Sequence, residues 1–158
     1  MEIRSAVEAD RPAIHEVTFA AYDEYRAAIP PQGWEEYAAN IASTLDSSIP
    51  NDCIVAVQDG RIIGSVLLIP AHGQPARYPE VRLLAVPPAQ RGQGVGQALM
   101  DECKRRALAS GATHLSLHTT QLMQAALRMY ERMGFERSPE TDFRPAPNFV
   151  VMGFRLRL

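Results

Sequence analysis

Glu80-Val81-Arg82-Leu83-Leu84-Ala85-Val86-Pro87-Pro88-Ala89-Gln90-Arg91-Gly92-Gln93-Gly94-Val95-Gly96 is the stretch on which the reading of this chain turns. Its first seven residues read as a strand, closed by Pro87-Pro88. A helix is expected from Val95 to Ser110, because Val95, Leu99, Cys103 and Ala107 set an apolar residue at every fourth position. A strand that feeds a glycine-rich turn and then a helix makes an anion site. The first N–H groups of the helix lack intrahelical partners, and the macrodipole favours negative charge there. Glycine lets the backbone adopt positive φ and approach a ligand closely. Arg91 can add charge-assisted hydrogen bonds to phosphate oxygens.

Three phosphate motifs compete for this turn. The P-loop pattern GxxxxGK[ST] needs a Lys-Ser/Thr pair that the segment lacks. The dinucleotide pattern GxGxxG fails by one residue. Counted from Gly92 its third glycine would fall at Gln97, and counted from Gly94 it would fall at Leu99. What remains is [Q/R]-x-x-G-x-[G/A], met by Arg91, Gly94 and Gly96. A glycine-rich connection with no ligand is the alternative, and three alternating glycines at a helix start are costly in chain entropy.

Upstream, Glu2 to Val7 reads as a strand, and Asp10 offers a helix N-cap with Pro12 in the first turn. A helix through Ile14, Val17, Phe19, Ala21 and Tyr22 breaks at Pro30-Pro31-Gln32-Gly33, and a second runs from Trp34 to Leu45. Cys53 to Val57, the turn Asp59-Gly60 and Arg61 to Ile69 form a hairpin. Pro70 to Pro79 is a loop. Downstream, Gly111 ends a helix, His114 to Thr119 alternates as a strand, Leu122 to Met133 is a short helix stopped by Gly134, and Phe149 to Leu158 is a last strand. The order β-α-α-β-β-β-α-β-α-β predicts one domain over residues 1–158, of class α/β (α+β layered). A mixed, mostly antiparallel central sheet of six or seven strands would carry helices on both faces.

The totals bound the function. A chain of 158 residues can bury one sizeable core, and 46% hydrophobic with 22% charged residues is the make-up of a soluble globular protein. The net charge of -2 gives no reason to expect nucleic-acid binding. Cys53 and Cys103 sit in apolar runs without metal-ligand spacing, so they read as buried thiols in a reducing compartment, and no metal is expected. The start Met1-Glu2-Ile3-Arg4 has no signal-peptide pattern, and no apolar run approaches the roughly 20 residues that span a bilayer. The expectation is cytoplasmic, with no membrane partner.

Two segments resemble the GCN5-related N-acetyltransferase (GNAT) superfamily. Val81 to Met100 is similar to its fourth strand and pyrophosphate turn. Ala126-Leu127-Arg128-Met129-Tyr130-Glu131-Arg132-Met133-Gly134-Phe135 is similar to its A-x-x-[LM]-Y-E-[KR]-x-G-F segment. The resemblance implies the acyl-CoA N-acyltransferase fold, acetyl-CoA as co-substrate and an amine acceptor, small molecule or peptide. By the family's habit a homodimer is compatible. It also implies roles. Backbone groups of Leu84, Ala85 and Val86 pair with the pantetheine arm. Backbone N–H groups of Arg91, Gly92, Gln93, Gly94, Val95 and Gly96, with Gln97, hold the pyrophosphate. Met123 and Ala126 border the pantetheine. The family often has Asn where this chain has Met123, which cannot make the amide hydrogen bond. Pro87 and Pro88 remove ladder donors where the family's fourth and fifth strands part.

The reaction so implied is attack of a primary amine on an acetyl thioester. It needs a neutral amine, an oxyanion donor and a proton for the leaving thiolate. Tyr130 is the candidate acid, since a phenol of reference pKa about 10 can donate to a thiolate; the alternative is a core tyrosine. A backbone N–H near Val86 is the candidate oxyanion donor. Two bases are open. Glu80 lies six residues before Val86, and strict alternation would put Glu80, Arg82, Leu84 and Val86 on one face; it can equally be a partner of Arg82. His118 can take a proton directly or through water, or be a hydrogen-bonded histidine at a strand end. Asp23, Glu24, Glu35 and Glu36 either attract a cationic amine or form a solvated face, and Trp34 is a pocket wall or a core plug. A coenzyme A-binding module without turnover is the competing class. The acceptor itself is not legible.

Overall fold

The computed structural model describes residues 1–71 and 78–158. Along the chain come β1 (Glu2–Ser5), α1 (Arg11–Tyr22), α2 (Pro31–Ser47), β2 (Cys53–Gln58), β3 (Arg61–Ile69) and β4 (Glu80–Ala85). They are followed by α3 (Val95–Ala109), β5 (His114–Thr119), α4 (Gln124–Met133), β6 (Glu136–Arg137), β7 (Phe143–Ala146) and β8 (Phe149–Arg157). The hydrogen-bonded strand order is β1-β2-β3-β4-β5-β8-β6, with β7 on β8. β4 and β5 pair parallel, whereas β1–β2, β2–β3, β5–β8, β6–β8 and β7–β8 pair antiparallel. The mixed, mostly antiparallel sheet is therefore present, with eight strands.

Local chemistry sets most element bounds. Asp59 and Gly60 both have positive φ, 51° and 75°, as a tight hairpin turn requires, and they place Gln58 opposite Arg61. α2 starts at Pro31, three residues before the expected Trp34, because proline is well suited to a first helical position. Asp10 is not the side-chain cap of α1. Its carboxylate accepts the Val7 N–H at 2.8 Å and pairs with Arg4 at 2.7 Å, closing the turn before the helix instead. The loop expected at Pro70 to Pro79 falls largely on residues 72–77, outside the described residues.

Two compact units make up the chain. The first comprises Met1–Leu68 and Leu83–Glu102. Its core holds Ile54, Val55 and Ala56 of β2 with Leu99 and Met100 of α3, all fully buried. Burial of each such Ile or Leu is worth about 1.5–3 kcal/mol. Gly64 of β3 lets the first turn of α3 come close. A Cβ there would stand 2.8 Å from Val95 Cγ1 and 3.2 Å from both Ala85 O and Leu99 Cδ1. The first turn of α3 is thus packed closely on β3 through Val95 and Leu99.

The second unit comprises Ile69–Arg82 and Cys103–Leu158. β5 is central in it, with Leu115, Leu117 and Thr119 buried and His114, Ser116 and His118 half-exposed, the alternation read from the sequence. β5 pairs with β8 along its whole length, from His114↔Arg157 to Thr119↔Met152. With β4 its described pairing is short, Glu80↔Ser116 and Val81↔Leu117. Cys53 and Cys103 are both buried. Among the described residues, no helix is long and apolar enough to cross a membrane.

Candidate functional site

The glycine turn takes the form its sequence demands. Gly92 and Gly94 have φ of 78° and 80°, where a side chain would be strained. Among the described residues, nothing lies within 4 Å of where a Cβ on either would stand, so the backbone there is open to them. Gly94 O accepts the first helical bond, from Ala98 N at 3.0 Å. The N–H groups of Val95, Gly96 and Gln97 then have no partner within the helix. Val95 is buried, which fixes the start of α3, and the Gln97 amide donates to Asp101 at 2.9 Å.

Arg91 is placed differently from the rest of the turn. Its N–H donates to Pro88 O at 3.3 Å, within the short turn Pro88–Gln90. Its guanidinium donates from Nε to Val86 O at 3.0 Å and from Nη1 to Glu24 Oε2 at 3.0 Å. Nη2 meets Glu24 Oε1 at 2.7 Å and Ala21 O at 3.4 Å. Glu24 is held below its ordinary pKa by this hydrogen bond from Arg91, against partial desolvation. At the exit of β4, then, Val86 O is taken by Arg91, and Leu84 O accepts the Tyr22 hydroxyl at 3.2 Å. Ala85 is fully buried.

The β4 backbone also departs from a regular strand. Leu83 has φ of 50°, a left-handed conformation that costs a branched residue about 1 kcal/mol or more. The pleat is interrupted there, so strict alternation from Glu80 to Val86 does not carry through.

Glu80 and His118, the two candidate bases, lie together. His118 Nδ1 is 3.5 Å from Glu80 Oε1, and His118 Nε2 is 2.9 Å from Thr141 O. Both neighbours are acceptors, so both ring nitrogens do best as donors, which is the protonated imidazolium. The hydrogen bond to Glu80 accordingly raises His118 above its ordinary pKa; desolvation opposes it and the Thr141 bond assists. Burial pushes Glu80 upward, but the hydrogen bonds from His118 and Arg82 outweigh it and hold the carboxylate below its ordinary value. Arg82 Nε donates to Glu80 at 3.0 Å. Phe143 of β7 stacks edge-on against His118 at 5.4 Å between ring centroids.

Thr141 is held in place by a tight joint at Gly153 of β8. A Cβ on Gly153 would fall 1.7 Å from Thr141 Oγ1 and 3.0 Å from Ser138 O. Gly153 N–H donates to Asp142 at 2.8 Å, and Arg137 pairs with both Asp142 oxygens at 2.7 Å while donating to Gly153 O at 2.9 Å.

Tyr130 of α4 is 6% exposed and meets Phe135 edge-on at 5.7 Å. Met123 precedes the first residue of α4 and accepts a weak hydrogen bond from the Thr119 hydroxyl at 3.5 Å. Ala126 lies half-buried on α4.

Trp34 and Tyr22 are legible in the sequence as single residues, but the row they form with Tyr25 and Tyr37 is not. Tyr22, Tyr25, Trp34 and Tyr37 form an aromatic row, with centroid distances of 5.9, 6.2 and 6.0 Å for Tyr22–Tyr25, Tyr22–Tyr37 and Trp34–Tyr37. Trp34 is 7% exposed and lies under the Arg26 guanidinium, 5.0 Å from its ring centroid, so it plugs rather than lines a space. Burial pushes the Tyr25 and Tyr37 hydroxyls up to about 12, and neighbouring Glu24 adds to this at Tyr25. The repeated i, i+3 spacing of Tyr22–Tyr25 and Trp34–Tyr37 is the one cue that the sequence offers for the row.

Comparison with known proteins places this geometry. An S-(2-succino)cysteine N-acetyltransferase of Bacillus subtilis (strain 168) is 31% identical over 98% of this chain and 95% of its own length. N-acetyltransferase 8F1 of Rattus norvegicus is 28% identical over 79% of this chain, which spans only 58% of that protein. Among solved structures, an acetyltransferase of the GNAT family from Staphylococcus aureus Mu50 matches with a TM-score of 0.77 at 14% identity, over 99% and 98% of the two chains. PaiA N-acetyltransferase from Thermoplasma acidophilum, crystallised with coenzyme A, matches with a TM-score of 0.71 at 18% identity, over 96% of each. These two likenesses speak for the fold. The sequence model of the acetyltransferase (GNAT) family matches residues 14–135, most of the chain, and the protein belongs to that family.

Proposed function

We propose that the chain transfers an acetyl group from acetyl-CoA to the primary amine of a small acceptor, by direct attack in a ternary complex. The observation that carries this is the glycine turn, whose open, positive-φ backbone runs straight into α3 in a chain of this family. Neutral N–H donors at a helix start suit a pyrophosphate. Gly92, Gln93, Gly94, Val95 and Gly96, with Gln97, hold it. Leu84, Ala85 and Val86 run beside the pantetheine, with Met123 and Ala126 as apolar neighbours.

The Val86 N–H receives the oxyanion. The attacking nitrogen forms a C–N bond to the acetyl carbon while the C–S bond breaks, and Tyr130 gives the departing thiolate its proton. The nitrogen's surplus proton goes to the Glu80–His118 pair or to water beside it. Segment Tyr22–Tyr37 lines the acceptor side.

The state of that pair bears on the acceptor. A depressed carboxylate bonded to an imidazolium is a weak base. An α-amine, whose ammonium is more acidic than that of a lysine side chain of reference pKa about 10.4, asks less of such a base. The Bacillus subtilis relative acts, by its name, on a cysteine thioether. We take the α-amine of such an amino acid as the first acceptor.

Thiol release from acetyl-CoA, followed across S-(2-succino)cysteine, simpler S-alkylcysteines, lysine peptides, polyamines and an aminoglycoside, tests this. The expected result is fastest release with a cysteine thioether. Preference for lysine peptides would overturn the acceptor class. Coenzyme binding without amine-dependent release would leave a coenzyme A-binding module that does not turn over.

A further inference from the structure

Resting on that reading, we infer that Arg91 is a positioning residue for the acceptor side rather than a phosphate ligand. Together with Glu24 it clasps the segment Tyr22–Ala28 to the exit of β4. The inference starts from how Arg91 spends its donors. A guanidinium has five N–H groups. Contacts to Val86 O, Ala21 O and the two Glu24 oxygens engage most of them. Its backbone N–H is also committed, to Pro88 O. Little donor capacity is left for an anion at the turn.

Charge points the same way. A carboxylate beside an anion site repels the anion, so Glu24 works against phosphate affinity unless Arg91 cancels it. The pair is 36% and 38% exposed in its side chains, and its two members lie 67 positions apart in the chain. What it joins is specific. Ala21 and Glu24 flank the end of α1, and Val86 is the residue that follows β4. The Tyr22 hydroxyl on Leu84 O makes a second link between the same two segments. Tyr25 adds a hydrogen bond to Glu24. Through Tyr22 the clasp continues into the Tyr37–Trp34 row at the start of α2. The segment proposed to line the acceptor side is therefore tied to the strand end proposed for the thioester, through this charge pair and the Tyr22 hydroxyl.

The test separates affinity for the coenzyme from affinity for the acceptor. Coenzyme A dissociation constants by titration calorimetry, and kcat and KM for the best amine of the panel, are measured for wild type, Arg91→Ala, Glu24→Ala, the double variant and Arg91→Lys. The clasp predicts that Arg91→Ala and Glu24→Ala each raise acceptor KM about tenfold. Coenzyme A affinity should stay within about threefold, and the double variant should be no worse than either single one. Arg91→Lys, which keeps the charge, should recover part of the KM. Two results would overturn the clasp: Arg91→Ala weakening coenzyme A more than tenfold, or Glu24→Ala tightening coenzyme A with acceptor KM unchanged. Either would make Arg91 a phosphate ligand that Glu24 restrains. If wild type itself fails to bind coenzyme A, the proposed function falls, and that outcome is distinct from both.

Discussion

Between Gly92 and Gly96 the groups offered to a ligand belong to the backbone, whereas around Glu80 and His118 they are side chains that already bond each other. The turn needs no charge of its own, because Arg91 is neutralised by Glu24 and the helix start supplies the positive potential. The pair on β4 and β5 is the reverse: two opposite charges, one accepting carbonyl from Thr141, and pKa values pushed apart by contact. A backbone site depends on conformation, so it is sensitive to any side chain at Gly92 or Gly94. A side-chain site depends on the protonation and placement of its members, so it is sensitive to pH and to distant packing.

The largest effect expected lies with neither region. If Tyr130 supplies the thiolate's proton, Tyr130→Phe should lower kcat by about 10²–10³-fold. Coenzyme A affinity should stay near wild type, because the backbone site is untouched. Unchanged kcat would return Tyr130 to a core role against Phe135 and load the proton transfer onto the Glu80–His118 pair.

Gly94→Val breaks the backbone site alone. A β-branched residue at φ of 80° is strained by about 1–3 kcal/mol, and relief of that strain rebuilds the turn. Coenzyme A should bind about 10²-fold more weakly, and the strain alone should lower the melting temperature by about 2–4 °C per kcal/mol, since among the described residues nothing packs against that position. Full retention of affinity would show that the turn's conformation is not what binds.

Gly153→Ala breaks the side-chain site from a distance. Its methyl would overlap Thr141 Oγ1 and press on Ser138 O, so stability should fall by about 1–3 kcal/mol in denaturant unfolding. The displaced Thr141 carbonyl would leave His118, and turnover should drop while coenzyme A affinity holds. A variant as stable as wild type, with His118 unmoved, would mean that the joint at β8 does not support the pair.

These two regions also differ in how far the sequence reveals them. The turn is local: glycine spacing, a strand before it and a four-residue apolar repeat after it are all contiguous, and β3 and β5 were legible to the residue for the same reason. β7 was hidden because Pro145 argues against a strand, and it survives only as a pairing on one side of β8. β6 has two residues, too few for any alternation. Leu83's left-handed backbone gives no compositional sign. The contacts that fix the side-chain roles are long-range. Tyr22 reaches Leu84 over 62 positions, Arg91 reaches Glu24 over 67, and His118 reaches Thr141 over 23. Residue type and strand position nominated Glu80 and His118, but only the fold shows that they bond each other, which makes the Glu80 carboxylate a weaker base and keeps His118 protonated to higher pH.

That mutual bond gives the smallest and most specific test. His118 is raised above its ordinary value of 6.5, first by its hydrogen bond to Glu80. If it must be neutral to take a proton, kcat/KM should rise with pH through an inflection above 6.5. Glu80→Gln removes the charge that favours the imidazolium, so the inflection should move to lower pH, while the coenzyme A dissociation constant keeps its wild-type value. The stability linkage has the opposite sense. A group with a raised folded pKa contributes stability that is fully present below its unfolded value, and that stability is lost as pH climbs through the folded one. The pair therefore grips most firmly where it is least able to accept a proton, and activity should increase over the range in which its contribution to stability fades. An inflection that stays in place in Glu80→Gln would show that the titrating group belongs to the amine itself. The side-chain region would then position the acceptor without exchanging its proton.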